Sequence, residues 1–155
     1  MILTVIAVGT KMPDWVQTGI AEYSKRLPKD FQLKFVEIQV GHRGKNTSIK
    51  TAIEKEGKLM MEAINPKDFV VALEINAKNW STEQLAQNIR TWRDDGYNIT
   101  LLVGGPDGLA KPCIERANRS WSISNLTLPH PLVRVLLAEQ IYRAWSVLNN
   151  HPYHK

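Results

Sequence analysis

At 155 residues, with 43% apolar, 23% charged and 8% aromatic side chains, the chain has the length of one domain and an ordinary globular make-up. That excludes disordered, fibrous and collagen-like classes, and the single cysteine, Cys113, excludes an intramolecular disulfide and suits a reducing compartment. Twenty Lys and Arg against fifteen Asp and Glu leave a net charge of +5, which permits a polyanionic partner without requiring one.

Runs of strand length alternate with helical periods along the whole chain. Ile2 to Val8 is a first strand, closed by Gly9. Its short apolar run has nothing basic before it, so it reads neither as a signal peptide nor as a membrane span, and a soluble, cytoplasmic protein is expected. Val16, Ile20, Tyr23 and Leu27 share one helical face, with Pro28 behind them. Leu33 to Ile38 alternates as a second strand. A helix from about Ser48 carries Ile49, Ile53, Met60 and Ile64, and Asn65-Pro66 stops it.

Phe69 to Leu73 is a third strand. Ser81 with Gln84 has the spacing of a capping box, followed by Leu85, Ile89 and Trp92, with Gly96 as the stop. Ile99 to Val103 is a fourth strand, running into Gly104-Gly105-Pro106-Asp107-Gly108. A short helix is expected around Pro112 to Ala117, and a fifth strand around Trp121 to Leu126. The last long helix starts at Pro131 and lines Val133, Leu137, Ile141, Ala144, Trp145 and Leu148 along one side. This alternation predicts one α/β domain over residues 1–155 with a mostly parallel sheet.

In such sheets, ligands gather outside the carboxyl ends of the strands. That rule points to Glu74-Ile75-Asn76-Ala77, to the glycine loop 104–108, and to Thr127-Leu128-Pro129-His130-Pro131-Leu132. Adjacent glycines let a backbone approach a ligand, although Gly-Pro-Asp-Gly is equally an ordinary turn string. The loop is neither a P-loop nor a G-x-G-x-x-G motif. Two prolines around His130 stiffen the third segment and leave backbone groups for a ligand with polar edges. His42, Arg43 and Lys45 make an acid-free basic loop suited either to phosphates or to plain solvent. Glu139 and Arg143 have the spacing of a helical ion pair. In the tail, His151 and His154 lack a third ligand, so no metal site is expected; its hydrogen-bonding and stacking side chains suit a nucleobase instead. The residues alone name no reaction. An enzyme, a non-enzymatic RNA-binding factor and a phosphoryl-transfer enzyme all stay open, the last weakened by the missing Gly-Lys-Ser/Thr and acidic pair.

At these loops the sequence resembles a known family. The strings Ala7 to Lys11, Leu102 to Gly108, Leu126 to Arg134, Glu139 to Ala144 and Asn150 to His154 are similar to those of the bacterial ribosomal RNA large subunit methyltransferase H family, small SPOUT-class enzymes. The resemblance runs from the first strand to the last residues. It implies an α/β knot fold with a C-terminal trefoil knot and a homodimer with the last helix at its interface. It also implies N3-methylation of a pseudouridine in 23S rRNA of the assembled ribosome.

The same resemblance places S-adenosyl-L-methionine against Leu73, Gly105, Ser124, Asn125, Leu126, Thr127, Leu128 and Pro129. A side chain added at Gly105 is expected to fill ligand space. Arg143 and Arg134 become candidates for stabilising the imide charge, Tyr153 and His154 for holding or stacking on the base, and His154 is the first candidate for the general base. His42, Arg43 and Lys45 become candidate rRNA contacts. The expected partners are a second copy of the chain and the ribosome, with no membrane and no metal.

Overall fold

The first strand, β1 (Ile2–Val8), carries apolar side chains on both faces, as a strand buried on two sides requires. In the computed structural model, which describes residues 1–155, Leu3, Val5 and Ala7 enter one core while Ile6 and Val8 enter a second on the opposite face. The second strand, β2 (Gln32–Ile38), has alternating exposure and occupies an edge. The third, β3 (Phe69–Leu73), is mostly buried, and the fourth, β4 (Ile99–Val103), is buried at every position. A short fifth strand, β5 (Arg119–Trp121), completes a sheet of order β2-β1-β4-β3-β5 in which every pairing is parallel.

Three helices cover the first core. They are α1 (Asp14–Ser24), α3 (Thr82–Asp94) and α5 (His130–Leu148), and α5 packs against both of the others. From α3 and α5, Leu85, Ile89, Trp92, Leu137, Ile141 and Ala144 bury their side chains against β1 and β4. On the other face lie α2 (Ile49–Ala63) and α4 (Lys111–Arg116), which contribute Met60 and Cys113 to the second core. The result is a three-layer α/β/α sandwich.

Local signals set most helix starts. Ser48 Oγ accepts the Thr51 N–H at 3.1 Å at the head of α2. At α3 the capping box is complete, with Ser81 Oγ accepting Gln84 N–H at 3.1 Å and Gln84 Oε1 accepting Ser81 N–H at 2.8 Å. Three expectations need correcting. First, α1 ends at Ser24, and Leu27 reaches the core from the following turn. Second, of the face expected on α2, Met60 and Ile64 are buried and Ile53 packs on the same core, but Ile49 is exposed, while Ala52, Glu56 and Gly57 are buried as well; the residue before α4 comes so close that a Cβ on Gly57 would stand 2.4 Å from Ala110 Cβ. Third, β5 is Arg119–Trp121 and not Trp121–Leu126. It pairs only with Val71, Ala72 and Leu73, and where β3 stops, the ladder stops.

Candidate active site

The loops after β3, β4 and β5 surround a cavity of about 550 Å³ at the carboxyl end of the sheet. Leu73, Trp121, Ile123, Leu126 and Val133 give it apolar walls, and Glu74, Asn76, Asp107, Ser124 and Thr127 supply polar ones. Leu126 is 75% exposed, an apolar side chain left over an open cavity. Trp121 is buried and stacks on Trp80 with ring centroids 5.0 Å apart, yet its indole N–H has no partner within the chain. The cavity brings together the expected Leu73, Gly105, Ser124, Leu126, Thr127 and Leu128, while Asn125 and Pro129 lie in the same segment but outside its lining. Trp121, Ser122 and Ile123 also line it. They read as strand in the sequence, so only their place just past a strand end could have marked them.

The glycine loop is held from inside and from below. A Cβ on Gly104 would stand 2.6 Å from the Gly108 carbonyl carbon, so only glycine lets the turn close. A Cβ on Gly105 would meet Val8 Cγ1 at 2.9 Å and Glu56 Oε1 at 3.1 Å. A side chain there therefore presses first on the fold beneath the loop, which corrects the expectation that it would simply fill ligand space. Glu56 is buried, and Arg43 answers its charge with Nη1 on Oε2 at 2.7 Å and Nη2 on Oε1 at 3.3 Å. The same guanidinium donates through Nε to Asp107 Oδ2 at 2.8 Å. These two acids raise the Arg43 pKa, Glu56 most. Arg43 is thus committed inside the protein, whereas its neighbours His42 and Lys45 are exposed.

Beyond β5 the backbone turns on serines. Ser122 Oγ donates to the Ser124 carbonyl at 3.0 Å, and Ser124 Oγ accepts the Leu126 N–H at 2.9 Å. This Ser-rich turn, bridged past Trp121 only where Ser122 meets Asn79, carries Leu126, Thr127 and Leu128 across the cavity to Pro129 and the start of α5.

The expected catalytic side chains fall in two other places. Arg134 is 2% exposed and lies outside the cavity lining. Its Nη2 donates to the Gly9 carbonyl at 2.8 Å and to the Val8 carbonyl at 3.3 Å, and its Nη1 to Glu37 Oε2 at 2.9 Å. Arg143, Tyr153 and His154 gather on the far half of α5, where the tail folds back in a 3₁₀ turn at Pro152–His154. Ser146 Oγ donates to the His151 carbonyl at 2.8 Å and lies 2.9 Å from His154 Nδ1. Tyr153 and Tyr142 rings are 4.6 Å apart, and Arg143 Cζ lies 5.0 Å from the Tyr153 centroid. No group of three or more His, Cys, Asp or Glu side chains stands together in a form that could hold a metal ion, and no helix is long and apolar enough to cross a membrane.

A three-layer α/β sandwich with a roomy cavity at its strand ends belongs to the open α/β class that binds small ligands at the carboxyl ends of its strands. A family model described as "Predicted SPOUT methyltransferase" matches residues 1–154, and the chain belongs to that family. It is 61% identical over 155 residues to a protein of Marinomonas sp. (strain MWYL1) named "Ribosomal RNA large subunit methyltransferase H", covering 100% of each chain. Among solved structures, the fold is similar to that of a methylase family protein from Neisseria gonorrhoeae, with a TM-score of 0.57 at 14% identity over 90% of this chain and 81% of that one. A methylase family protein from Haemophilus influenzae Rd KW20 gives a TM-score of 0.57 at 14% identity over 99% of this chain and 70% of that one. As a member of a methyltransferase family the chain uses a methyl donor.

Proposed function

We propose that this chain is an S-adenosylmethionine-dependent methyltransferase of large-subunit ribosomal RNA, acting on N3 of a pseudouridine in 23S rRNA of the assembled ribosome. The observation that carries the reading is the 61% identity, end to end, with a protein named for that class of activity. The cavity fits the donor. Its volume of about 550 Å³ suits a nucleoside with a short tail, its walls offer Leu73 and Leu126 to the faces of a base, and Gly105, Thr127 and Leu128 lie where backbone groups can meet polar edges. Asn125 and Pro129 complete the segment. S-adenosylmethionine supplies an electrophilic methyl on a sulfonium, so the protein's share of the chemistry is positioning and charge stabilisation.

The acceptor nitrogen must lose its proton, and the imide anion needs a cation. Arg143 fits that role, because Glu139 holds its Nε and Nη2 while its Nη1 carries no protein partner. Tyr153 lies beneath that guanidinium and can hold the base. His154 is the first candidate for the general base, since its Nδ1 is engaged with Ser146 and its Nε2 is left for an outside partner. Arg134 serves the site indirectly, by fixing the end of β1.

His130 lines the cavity, and Arg143 lies thirteen residues further along the same helix, about 20 Å away at 1.5 Å per residue. One copy therefore keeps its cavity and its Arg143–Tyr153–His154 group apart, which supports a homodimer in which each site draws on both copies. A trefoil knot formed by the C-terminal segment belongs to the same reading. His42 and Lys45, exposed on the loop before α2, would face rRNA phosphates.

Labelled-methyl transfer to intact ribosomes, isolated large subunits and naked RNA tests the proposal. Label is expected in intact ribosomes. Label in none of the three overturns the enzyme, and label in naked RNA alone overturns the assembled target.

A further inference from the structure

In an exposed, acid-free basic loop, one cation turns inward. The Arg43 side chain is 21% exposed, and four of its five N–H donors end on protein oxygens: Asp107 Oδ2, the Gly41 carbonyl, and both oxygens of Glu56. Glu56 is 3% exposed, and its carboxylate is held by this partner and by the Gly41 N–H at 2.8 Å. Its Oε1 lies directly under Gly105, and Asp107 stands two residues further along the same loop on the cavity wall. Within the loop, Gly105 and Gly108 form an isolated antiparallel bridge, with the Gly108 N–H on the Gly105 carbonyl at 3.1 Å. Arg43 therefore ties a buried anchor on α2 to the exposed end of this loop.

We infer that Arg43 is a positioning residue for the cavity, a clamp that holds the glycine loop in its ligand-ready shape through Glu56 and Asp107, and that it is not a phosphate contact. This rests on the cavity being the methyl-donor site. Charge and geometry make opposite demands at Arg43. A donor bearing a sulfonium is repelled by a nearby guanidinium, so a purely electrostatic Arg43 would weaken donor binding, and its removal would strengthen it. A clamp does the reverse. Lysine separates the two again, because it keeps the charge but lacks the fork that reaches both acids at once.

The test uses Arg43→Lys, Asp107→Asn, and the pair Arg43→Gln with Glu56→Gln, which avoids leaving a buried carboxylate unpaired. Lys55→Gln, an exposed charge removed from the same helix as Glu56, is the control. Amide hydrogen exchange at residues 104–109 reads the loop with no donor present, and calorimetry with S-adenosylmethionine reads the cavity. In Asp107→Asn and in the folded double variant, exchange in this loop should rise by about tenfold relative to the rest of the chain, and donor affinity should fall by about tenfold. Arg43→Lys should resemble them and Lys55→Gln the unaltered protein. Unchanged loop exchange in Asp107→Asn, or donor affinity equal to or above that of the unaltered protein, overturns the clamp. If the double variant does not fold, Asp107→Asn decides alone, since it leaves the buried pair in place. An unaltered chain that binds no S-adenosylmethionine overturns the donor reading instead, while loop exchange still decides whether Arg43 clamps.

Discussion

Tyr153 donates its hydroxyl proton to Glu139 Oε1 at 3.0 Å, and that one oxygen also accepts Arg143 Nε at 2.8 Å. A carboxylate with an entire arginine edge and a phenol on it acts as a jig: it sets the plane of the guanidinium and the height of the ring together. Glu139→Ala releases both. Methyl transfer should fall on the order of 10²-fold, the cost of misplacing a group by about 1 Å, while affinity for S-adenosylmethionine stays within about twofold. Calorimetry beside a transfer assay separates the two effects. Equal losses in both would place Glu139 in donor binding.

The same contact sets a pH dependence. Burial first, and then the hydrogen bond to Glu139, push the Tyr153 phenol up to about 12 from its ordinary value near 10. The folded chain thus holds this proton more tightly than the unfolded one. The stability it lends is complete below pH 10 and is lost as the pH rises from 10 to 12. Urea unfolding at pH 9 and pH 11 should show a drop for the unaltered protein and a smaller drop for Tyr153→Phe. An equal drop in both would show that other groups cause the alkaline loss.

Arg134 spends its donors on the Val8 and Gly9 carbonyls and on Glu37, tying α5 to the ends of β1 and β2. Its Nε is left without a partner in the interior. Arg134→Met should cost about 3 kcal/mol, because two buried carbonyls lose their donor, although Glu37, 42% exposed, can turn to water. Urea unfolding measures it. Stability unchanged within about 1 kcal/mol together with abolished transfer would return this side chain to the chemistry.

The sheet was legible because its signals are local. The run Ile99 to Val103, apolar but for Thr100, and the alternation Leu33 to Ile38 each mark a strand, and the fold then puts the first at the centre of the sheet and the second at its edge. Ser81 and Gln84 announced their helix for the same reason. What failed was long-range. Ile123 and Leu126 look like strand in the sequence because they are apolar, but they are apolar for a cavity, and no partner strand extends past Leu73. Arg43 looks like a surface cation because its acids lie 13 and 64 residues away. The tail looks free because its anchor, Ser146, sits on a helix eight residues before His154. Composition reports which groups a loop carries, and only the fold reports which of them are already taken.

Gly104 and Gly105 offer a graded test of the loop itself. At Gly104 an added Cβ meets backbone, with the Gly108 carbonyl carbon at 2.6 Å and the Leu109 nitrogen at 2.9 Å, so the turn must open. At Gly105 it meets two buried side chains, Val8 Cγ1 at 2.9 Å and Glu56 Oε1 at 3.1 Å, so a side chain beneath must shift although the turn itself need not open. Gly104→Ala should therefore be the worse substitution, with a stability loss of about 3 kcal/mol against about 1 kcal/mol for Gly105→Ala. Both should weaken donor binding, because the loop lines the cavity, but Gly105→Ala should do so in a protein that is still well folded. Chemical denaturation and donor calorimetry on the two variants check the order. If Gly105→Ala proves the less stable of the two, Glu56 is held more rigidly than its bonds to Arg43 and Gly41 imply; if its donor affinity is unchanged, the loop is not part of the binding surface.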